Sequence, residues 1–142
     1  MTSTRLNLTL LPDRFAICRL EPDAPFPQWA MQSAFCSLTR TPDELSLVVP
    51  HECVPEGIRS ERDWRAIQVQ GPLDFALTGI LASLCAPLAE AGVSVFALST
   101  FDTDYILVRE TQWESALTTL HRHHNLRHIL DEASNLPSPP SL

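Results

Sequence analysis

Two aspartates, Asp102 and Asp104, lie two residues apart in the segment "FDTD" at residues 101–104. The flanking segments "FALS" and "YILV" are apolar and have the character of strands, which predicts that "FDTD" forms the corner between them. Carboxylates this close repel each other unless turn donors or a cation intervene, and they could bind an ammonium or guanidinium group. Asp102 could instead cap its own turn, a common role for aspartate in corners.

A second group with binding chemistry is the predicted helix start at Gly79, Ile80 and Leu81. The first N–H groups of a helix lack intrahelical partners and carry partial positive charge, so they can accept a carboxylate. Gly79 would let a ligand approach the backbone, or would merely ease packing of the helix on the sheet. Asp74 is interpreted as a turn or helix-entry residue. Helix start and corner together predict a site for an amino acid, anionic at one end and cationic at the other.

Other chemistry has little support in the sequence. No nucleophile elbow, phosphate loop or dinucleotide fingerprint occurs, and the four cysteines lack C-x-x-C spacing and are interpreted as small buried residues. His121, His124 and His128 would share a helical face only if one helix passed through Asn125, which is predicted to end it in a left-handed conformation. We therefore interpret the histidines as a solvated helix end. We expect no catalytic residue, no metal and no cofactor.

The elements that must position the site follow two patterns. In the first half, "LNLTL" and "RFAICRL" predict a hairpin or two adjacent strands around a turn at Pro12 and Asp13. A short helix at residues 28–32 and two strands, "AFCSLT" and "ELSLVV", joined by "RTPD", come next. In the second half, residues 64–130 predict the order β-α-β-β-α-β, with an antiparallel sheet backed by helices. Pro87 is expected to kink the first of those helices or to loosen one of its turns, and the helix is predicted to end at Gly92.

The two halves also echo each other at an offset of 60 residues. The matching positions are Leu38 with Leu98, Thr39 with Ser99, Glu44 with Asp104, and Leu47-Val48 with Leu107-Val108. We interpret the echo as a duplicated unit whose first copy is shortened. The predicted domains are residues 1–62, residues 63–132, and a flexible Pro/Ser tail at residues 133–142.

Composition restricts the partners. The net charge is −7, which argues against nucleic acid and against an anionic membrane surface, because both require basic patches. The first residues lack the form of a signal peptide, and no apolar run approaches the roughly 20 residues that span a bilayer. We expect a cytoplasmic protein.

The stretch "GPLDFALTGILASLCAPLAEAGVSVFALSTFDTDYILVRE" resembles an ACT domain of the subgroup related to the eukaryotic cytosolic arginine sensors, and "RTPDELSLVVP" resembles the shortened first repeat of that subgroup. The resemblance implies a ferredoxin-like α+β fold and a regulatory module without catalytic activity. In ACT domains the ligand lies at a domain interface, against the loop before the first helix. That feature carries over to Thr78, Gly79 and Ile80, and the facing wall carries over to Phe101, Asp102, Thr103 and Asp104.

The chain has two such units where the arginine sensors have four, so a homodimer would restore the number. Edge-to-edge pairing would also cover the open sheet edges of small units. The resemblance further implies a regulated protein partner. The alternative is a structural or protein-interaction ACT module that binds no ligand.

Overall fold

The computed structural model describes residues 5–71 and 78–129, so the predictions for Asp74 and for the tail at residues 133–142 lie outside the described residues. Contacts divide the chain into a smaller unit, Asp13–Arg65, and a larger unit built from the described residues up to Pro12 and from Ala66 onward. The elements are β1 (Asn7–Leu20), α1 (Gln28–Met31), β2 (Ser37–Arg40), β3 (Leu45–Pro50), a 3-10 turn (His51–Cys53), β4 (Ser60–Val69), α2 (Ile80–Glu90), β5 (Phe96–Ser99), β6 (Asp104–Arg109), a 3-10 turn (Glu110–Gln112), α3 (Trp113–His121) and β7 (Asn125–His128).

The first strand is continuous, which corrects the predicted turn at Pro12 and Asp13. Its residues 7–10 pair with β7 and its residues 15–20 pair with β3, so Pro12 lies in neither register. A proline is tolerated in a strand where its missing N–H is not required by the ladder. The dipeptide that suggested a turn therefore marks the change of pairing partner along one strand.

In the smaller unit, β3 pairs antiparallel with β2 on one side and with β1 on the other. Alternate residues of β3 enter the core, as expected for side chains that point to one face of a sheet, although Val48 on the other face is also buried. The core consists of Ala16, Cys18, Ala30, Leu45, Leu47, Val49 and Val54. Residues 41–44, between β2 and β3, are called the first corner below.

The larger unit contains the predicted β-α-β-β-α-β order as β4, α2, β5, β6, α3 and β7, and its α+β fold confirms the predicted class. Its strand order is β7-β1-β4-β6-β5, with the beginning of β1 between β7 and β4. The core joins both helices to the sheet through Leu8, Leu10, Ile67, Val69, Leu84, Leu88, Val93, Ile106, Val108, Trp113, Ala116 and Leu120. Residues 100–103, between β5 and β6, are called the second corner.

The C-terminal strand differs from the expectation in two ways. β7 pairs with β1 in parallel, although the other registers described are antiparallel, because β1 occupies the position beside β4. Asn125 is the first residue of β7 and does not have the predicted left-handed conformation. Its N–H donates to Leu6 O at 2.9 Å, so pairing with the chain before β1 determines its backbone conformation.

Helix α2 runs from Ile80 to Glu90 with Pro87 inside it. A proline lacks the N–H that would bond the carbonyl four residues earlier, which here belongs to Ser83. His124 supplies the missing partner, because its Nε2 lies 3.1 Å from Ser83 O. His124 is only 1% exposed, so the interpretation of this histidine as part of a solvated helix end was wrong.

Candidate functional site

The start of α2 has the backbone geometry that the sequence suggested. Gly79 is the N-cap residue, with φ +78° in the left-handed region that glycine adopts readily. Its carbonyl accepts the Ser83 N–H at 2.9 Å, which closes the first helical turn. Thr78 and Gly79 are exposed and Ile80 is half-buried. A side-chain carbon added at Gly79 would have no described atom within 4 Å, so the space beside this helix start is open to a ligand.

The second corner is held by the hydroxyl of Thr100. The Thr100 N–H donates to Thr103 O at 2.8 Å, and the Thr103 N–H donates to Thr100 Oγ1 at 3.3 Å. None of the described residues donates a hydrogen bond to the carboxylate of Asp102, which is exposed. The turn-capping role that the sequence left open for Asp102 therefore belongs to Thr100, because a threonine hydroxyl can satisfy the same backbone groups.

Thr103 fixes the corner to the end of β4. Its side chain is 5% exposed, and its hydroxyl donates a short hydrogen bond to Val69 O. Val69 is the last residue of β4, from which the chain continues toward α2. Thr103 is thus turned into the protein, whereas its neighbours in the corner, Phe101 and Asp102, are exposed.

Asp104 begins β6 opposite Ser99 and accepts the Ser99 hydroxyl on Oδ1 at 2.7 Å. Burial raises the pKa of the Cys85 thiol, and the Asp104 carboxylate raises it further. Cys85 belongs to the middle of α2, so the charge of Asp104 acts on that helix. The pKa of Tyr105 is raised by burial and then by Asp102, which lies near the same strand.

The structure therefore fixes the second corner to β4 through Thr103, and the Asp104 carboxylate that follows the corner acts electrostatically on Cys85 of α2. Ser99, Thr100 and Cys85 are neighbours of the candidate site that sequence reasoning missed. The spacing Thr-x-x-Thr across the corner was a usable signal for Thr100, since a hydroxyl three residues before a turn's end often bonds that end. Cys85 had no comparable signal, because only the packing of α2 on the sheet brings it near Asp104.

Two further observations concern the described residues only. No helix at residues 5–71 or 78–129 is long and apolar enough to cross a membrane. Within the same ranges, histidine, cysteine and acidic side chains form no group of three or more that could hold a metal ion.

Comparison with known proteins identifies the class of domain to which this fold belongs. A family model for the ACT domain matches residues 59–122, and a model described as an N-terminal domain matches residues 13–57. A crystal structure of a protein from Agobacterium tumefaciens is 36% identical with a TM-score of 0.83, covering 89% of this chain and 95% of that one. Residues 59–122 of the chain therefore belong to the ACT domain family.

Within that family the chain is related to arginine sensors. It is 40% identical over 99 residues to the cytosolic arginine sensor for mTORC1 subunit 1 of Bos taurus, over 62% of this chain and 30% of the relative. The chain thus spans about 30% of the length of the curated sensors it matches. The regulatory subunit of aspartate kinase from Thermus thermophilus, 15% identical with a TM-score of 0.58, covers 82% of this chain and 95% of that one, and shows the same fold.

Proposed function

We propose that the chain is a regulatory module, without catalysis of its own, that binds a free amino acid between the start of α2 and the second corner. The observation that carries the proposal is the pair of carboxylates at the second corner: the exposed Asp102 accepts no hydrogen bond from a described residue, and Asp104 begins the next strand two residues later, where the first corner is followed by the buried Leu45. The turn does not require an aspartate at position 102. Its carboxylate is therefore available to bind the cationic group of a ligand.

The two ends of the site have opposite electrostatic character. The N–H groups at the start of α2 attract a carboxylate, and the open space beside Gly79 admits it. Asp102 and Asp104 attract a cation, and Ser99 engages one Asp104 oxygen while leaving the other for a ligand. A guanidinium suits two neighbouring carboxylates because its donors form a rigid planar fork. Arginine is therefore the first ligand to test, in agreement with the name of the sensor relatives.

The proposal extends to assembly and location. β5 ends the strand order of the larger unit and β2 ends that of the smaller one, and open strand edges favour pairing with a second copy. We propose a cytoplasmic homodimer that passes the binding signal to a protein partner, as the naming of the relatives as cytosolic sensors suggests. Light scattering tests the dimer directly, since the monomer mass is 15.8 kDa.

The deciding experiment is calorimetric titration with arginine, preceded by a thermal-shift screen of the twenty amino acids. A ligand at 100 times its Kd should add about 2.7 kcal/mol of stability. Asp104→Asn should weaken binding by about 1.5–3 kcal/mol, the usual size of a hydrogen bond to a charged group. Asp43→Asn is the control for the loss of one carboxylate outside the site, because Asp43 is the exposed aspartate of the first corner. It should leave the affinity unchanged.

A second pair of matched variants tests the part of the site at the start of α2. Gly79→Val should abolish binding and also cost about 1–2 kcal/mol of stability, because the residue has φ +78°. Gly92→Val carries the same backbone strain, at φ +76°, beyond the other end of α2 and with the same open surroundings. It should lose similar stability and keep the affinity. If no amino acid binds the wild-type chain, or if both valine variants bind equally well, the alternative of a structural or protein-interaction ACT module stands instead.

A further inference from the structure

His124 occupies a buried position between three segments of the larger unit. Its ring is 1% exposed. Nδ1 lies 3.1 Å from the Leu6 backbone nitrogen, which donates to it, and Nε2 lies 3.1 Å from Ser83 O in α2. Directly after His124, Asn125 begins β7, and its N–H donates to Leu6 O. One side chain therefore joins the chain before β1 to α2 at the point where β1 and β7 begin to pair.

The two hydrogen bonds determine the protonation state of the ring. Ser83 O can only accept, and Pro87 cannot donate to it, so Nε2 must carry the hydrogen. The Leu6 N–H can only donate, so Nδ1 must offer a lone pair. A neutral ring protonated on Nε2 satisfies both partners. A doubly protonated ring would direct a second N–H at the Leu6 N–H.

The charges around the ring also disfavour the protonated form. Burial is the main cause that lowers the pKa of His124, the bond to Ser83 O opposes it, and the charges of His123 and Arg5 lower it further. The Arg5 guanidinium donates to His124 O at 3.0 Å, and also to the carbonyls of His121 and Arg122. Glu90 of α2 lines the same cleft of about 280 Å³ as His123 and His124, and it is the acidic residue among the lining groups.

We propose that His124 is a proton-sensitive latch, which holds the start of β1 against α2 and β7 while its ring is neutral and releases it when the ring is protonated. The released segment is residues 5–10 together with its parallel partner, residues 125–128. Protonation replaces the acceptor at Nδ1 with a donor and places a positive charge beside Arg5. Release exposes the backbone groups of Asn7–Leu10 that had paired with β7. It also leaves Ser83 O, near the start of α2, without its partner.

The direction of the pH effect follows from the lowered pKa. The open segment binds a proton with the ordinary histidine pKa of about 6.5, whereas the closed segment binds it only at lower pH. The latch therefore contributes its full stability above about pH 6.5 and loses it as the pH falls through the pKa of the closed form. Between about pH 6.5 and the pKa of the closed form, the equilibrium constant for opening of the segment should rise by up to about tenfold per pH unit, because opening takes up one proton.

Hydrogen exchange of the full chain between pH 7.5 and pH 5, corrected for the intrinsic pH dependence of exchange, tests the latch. In the wild type, residues 6–10 and 125–128 should lose protection by up to about tenfold per pH unit below pH 6.5, while β2 and β3, which do not pair with that segment, keep theirs. His123→Gln is the matched control, since it removes the exposed neighbouring histidine, and it should retain the loss. His124→Asn offers an acceptor to Leu6 without titrating, and protection there should no longer depend on pH.

A second measurement on the wild type keeps the proposal testable if His124→Asn does not fold. Nitrogen chemical shifts of the histidine ring should show His124 neutral at pH 7, with hydrogen on Nε2 and none on Nδ1, and titrating below the ordinary histidine pKa of about 6.5. The latch is overturned if His124 titrates at or above the ordinary histidine value, or if its hydrogen resides on Nδ1. Equal protection of residues 6–10 in the wild type at both pH values also overturns it, as does a pH-dependent loss that persists in His124→Asn.

Discussion

The two corners use the same backbone turn and differ in the residue with which the next strand begins. In the first corner the Thr41 N–H donates to Glu44 O at 2.9 Å, and in the second the Thr100 N–H donates to Thr103 O at 2.8 Å. In each, the threonine hydroxyl accepts the N–H of the fourth residue, at 3.2 and 3.3 Å. Each corner also has an exposed aspartate at its third position. This shared turn chemistry therefore does not separate the second corner, which we propose as part of a ligand site, from the first.

The strand residue after each corner makes the difference. The first corner is closed by Arg40 opposite Leu45, and the second by Ser99 opposite Asp104. Leu45 is completely buried in the core of the smaller unit, whereas Asp104 is half-buried and hydrogen-bonded to Ser99. Only the second corner thus adds a carboxylate where the strand begins.

The registers also correct the offset of the echo. Corresponding residues of the two corners are 59 residues apart, since Arg40 and Leu45 match Ser99 and Asp104. The offset of 60 that the sequence suggested was therefore wrong. It equated Glu44, the last corner residue, with Asp104, the first strand residue. Apolar identities such as Leu38 with Leu98 favoured that offset, but the Thr-x-Asp spacing common to both corners follows the register.

Exchanging the residues after the corners should give the largest effect. Leu45→Asp should lower the free energy of unfolding by at least about 3 kcal/mol, because it removes a buried side chain and buries a charge without a partner. Asp104→Leu should change it by less than about 1 kcal/mol, because it loses one exposed hydrogen bond and gains strand propensity. Urea denaturation of both variants measures the two values. Comparable losses in both would mean that the two positions are equivalent after all.

Removing the hydroxyl of Thr103 should give a smaller effect that is specific to the second corner. Thr103→Val keeps the shape of the side chain but removes the donor to Val69 O, so unfolding should become easier by about 1–3 kcal/mol. Glu44→Gln is the matched change in the first corner, where the side chain is half-buried, and it should stay within about 0.5 kcal/mol of wild type. Thermal denaturation followed by circular dichroism compares them. Equal stability of Thr103→Val and wild type would show that the bond to Val69 does not hold the corner.

Sequence patterns predicted the element order, and the reason is periodicity. The helical spacing of Leu84 and Leu88 and the spacing by two of the β3 residues Leu45, Leu47 and Val49 place each set on one face, which local sequence records. Local sequence does not record which strands or side chains pair with each other. Pro12 suggested a turn because its effect on a strand depends on which neighbours require its N–H. His124 suggested a solvated end because its partners, Leu6 and Ser83, are distant in sequence.

The candidate site shows the same division between local and distant information. The turn and the glycine at the helix start follow from residue types at short spacing, which is why Gly79 was correctly placed at the beginning of α2. The roles within the corner did not follow, because Thr100 and Asp102 compete for the same backbone donors and only the folded turn shows which one bonds them. The burial of Thr103 depends on β4, more than thirty residues earlier.

The smallest expected effect concerns the thiol of Cys85, which reports whether the second corner faces α2. Burial and the Asp104 carboxylate both raise the pKa of this thiol, so it should react slowly with alkylating reagents at neutral pH. Asp104→Asn removes the second cause and leaves the first, so the pKa should fall part of the way toward its ordinary value and alkylation should accelerate. Peptide-resolved mass spectrometry of alkylation against pH separates Cys85 from the other three cysteines.

Asp102→Asn is the control for that measurement, because Asp102 influences the pKa of Tyr105 and not that of Cys85. It should leave the alkylation rate of Cys85 unchanged while lowering the pKa of Tyr105, which ultraviolet absorbance follows. The first corner has no corresponding pair, since Leu45 carries no charge. If Asp104→Asn leaves the rate at Cys85 unaltered, the carboxylate does not lie near α2. The two ends of an amino acid could then not be bound by Asp104 and by the start of that helix, even with both corners folded as described.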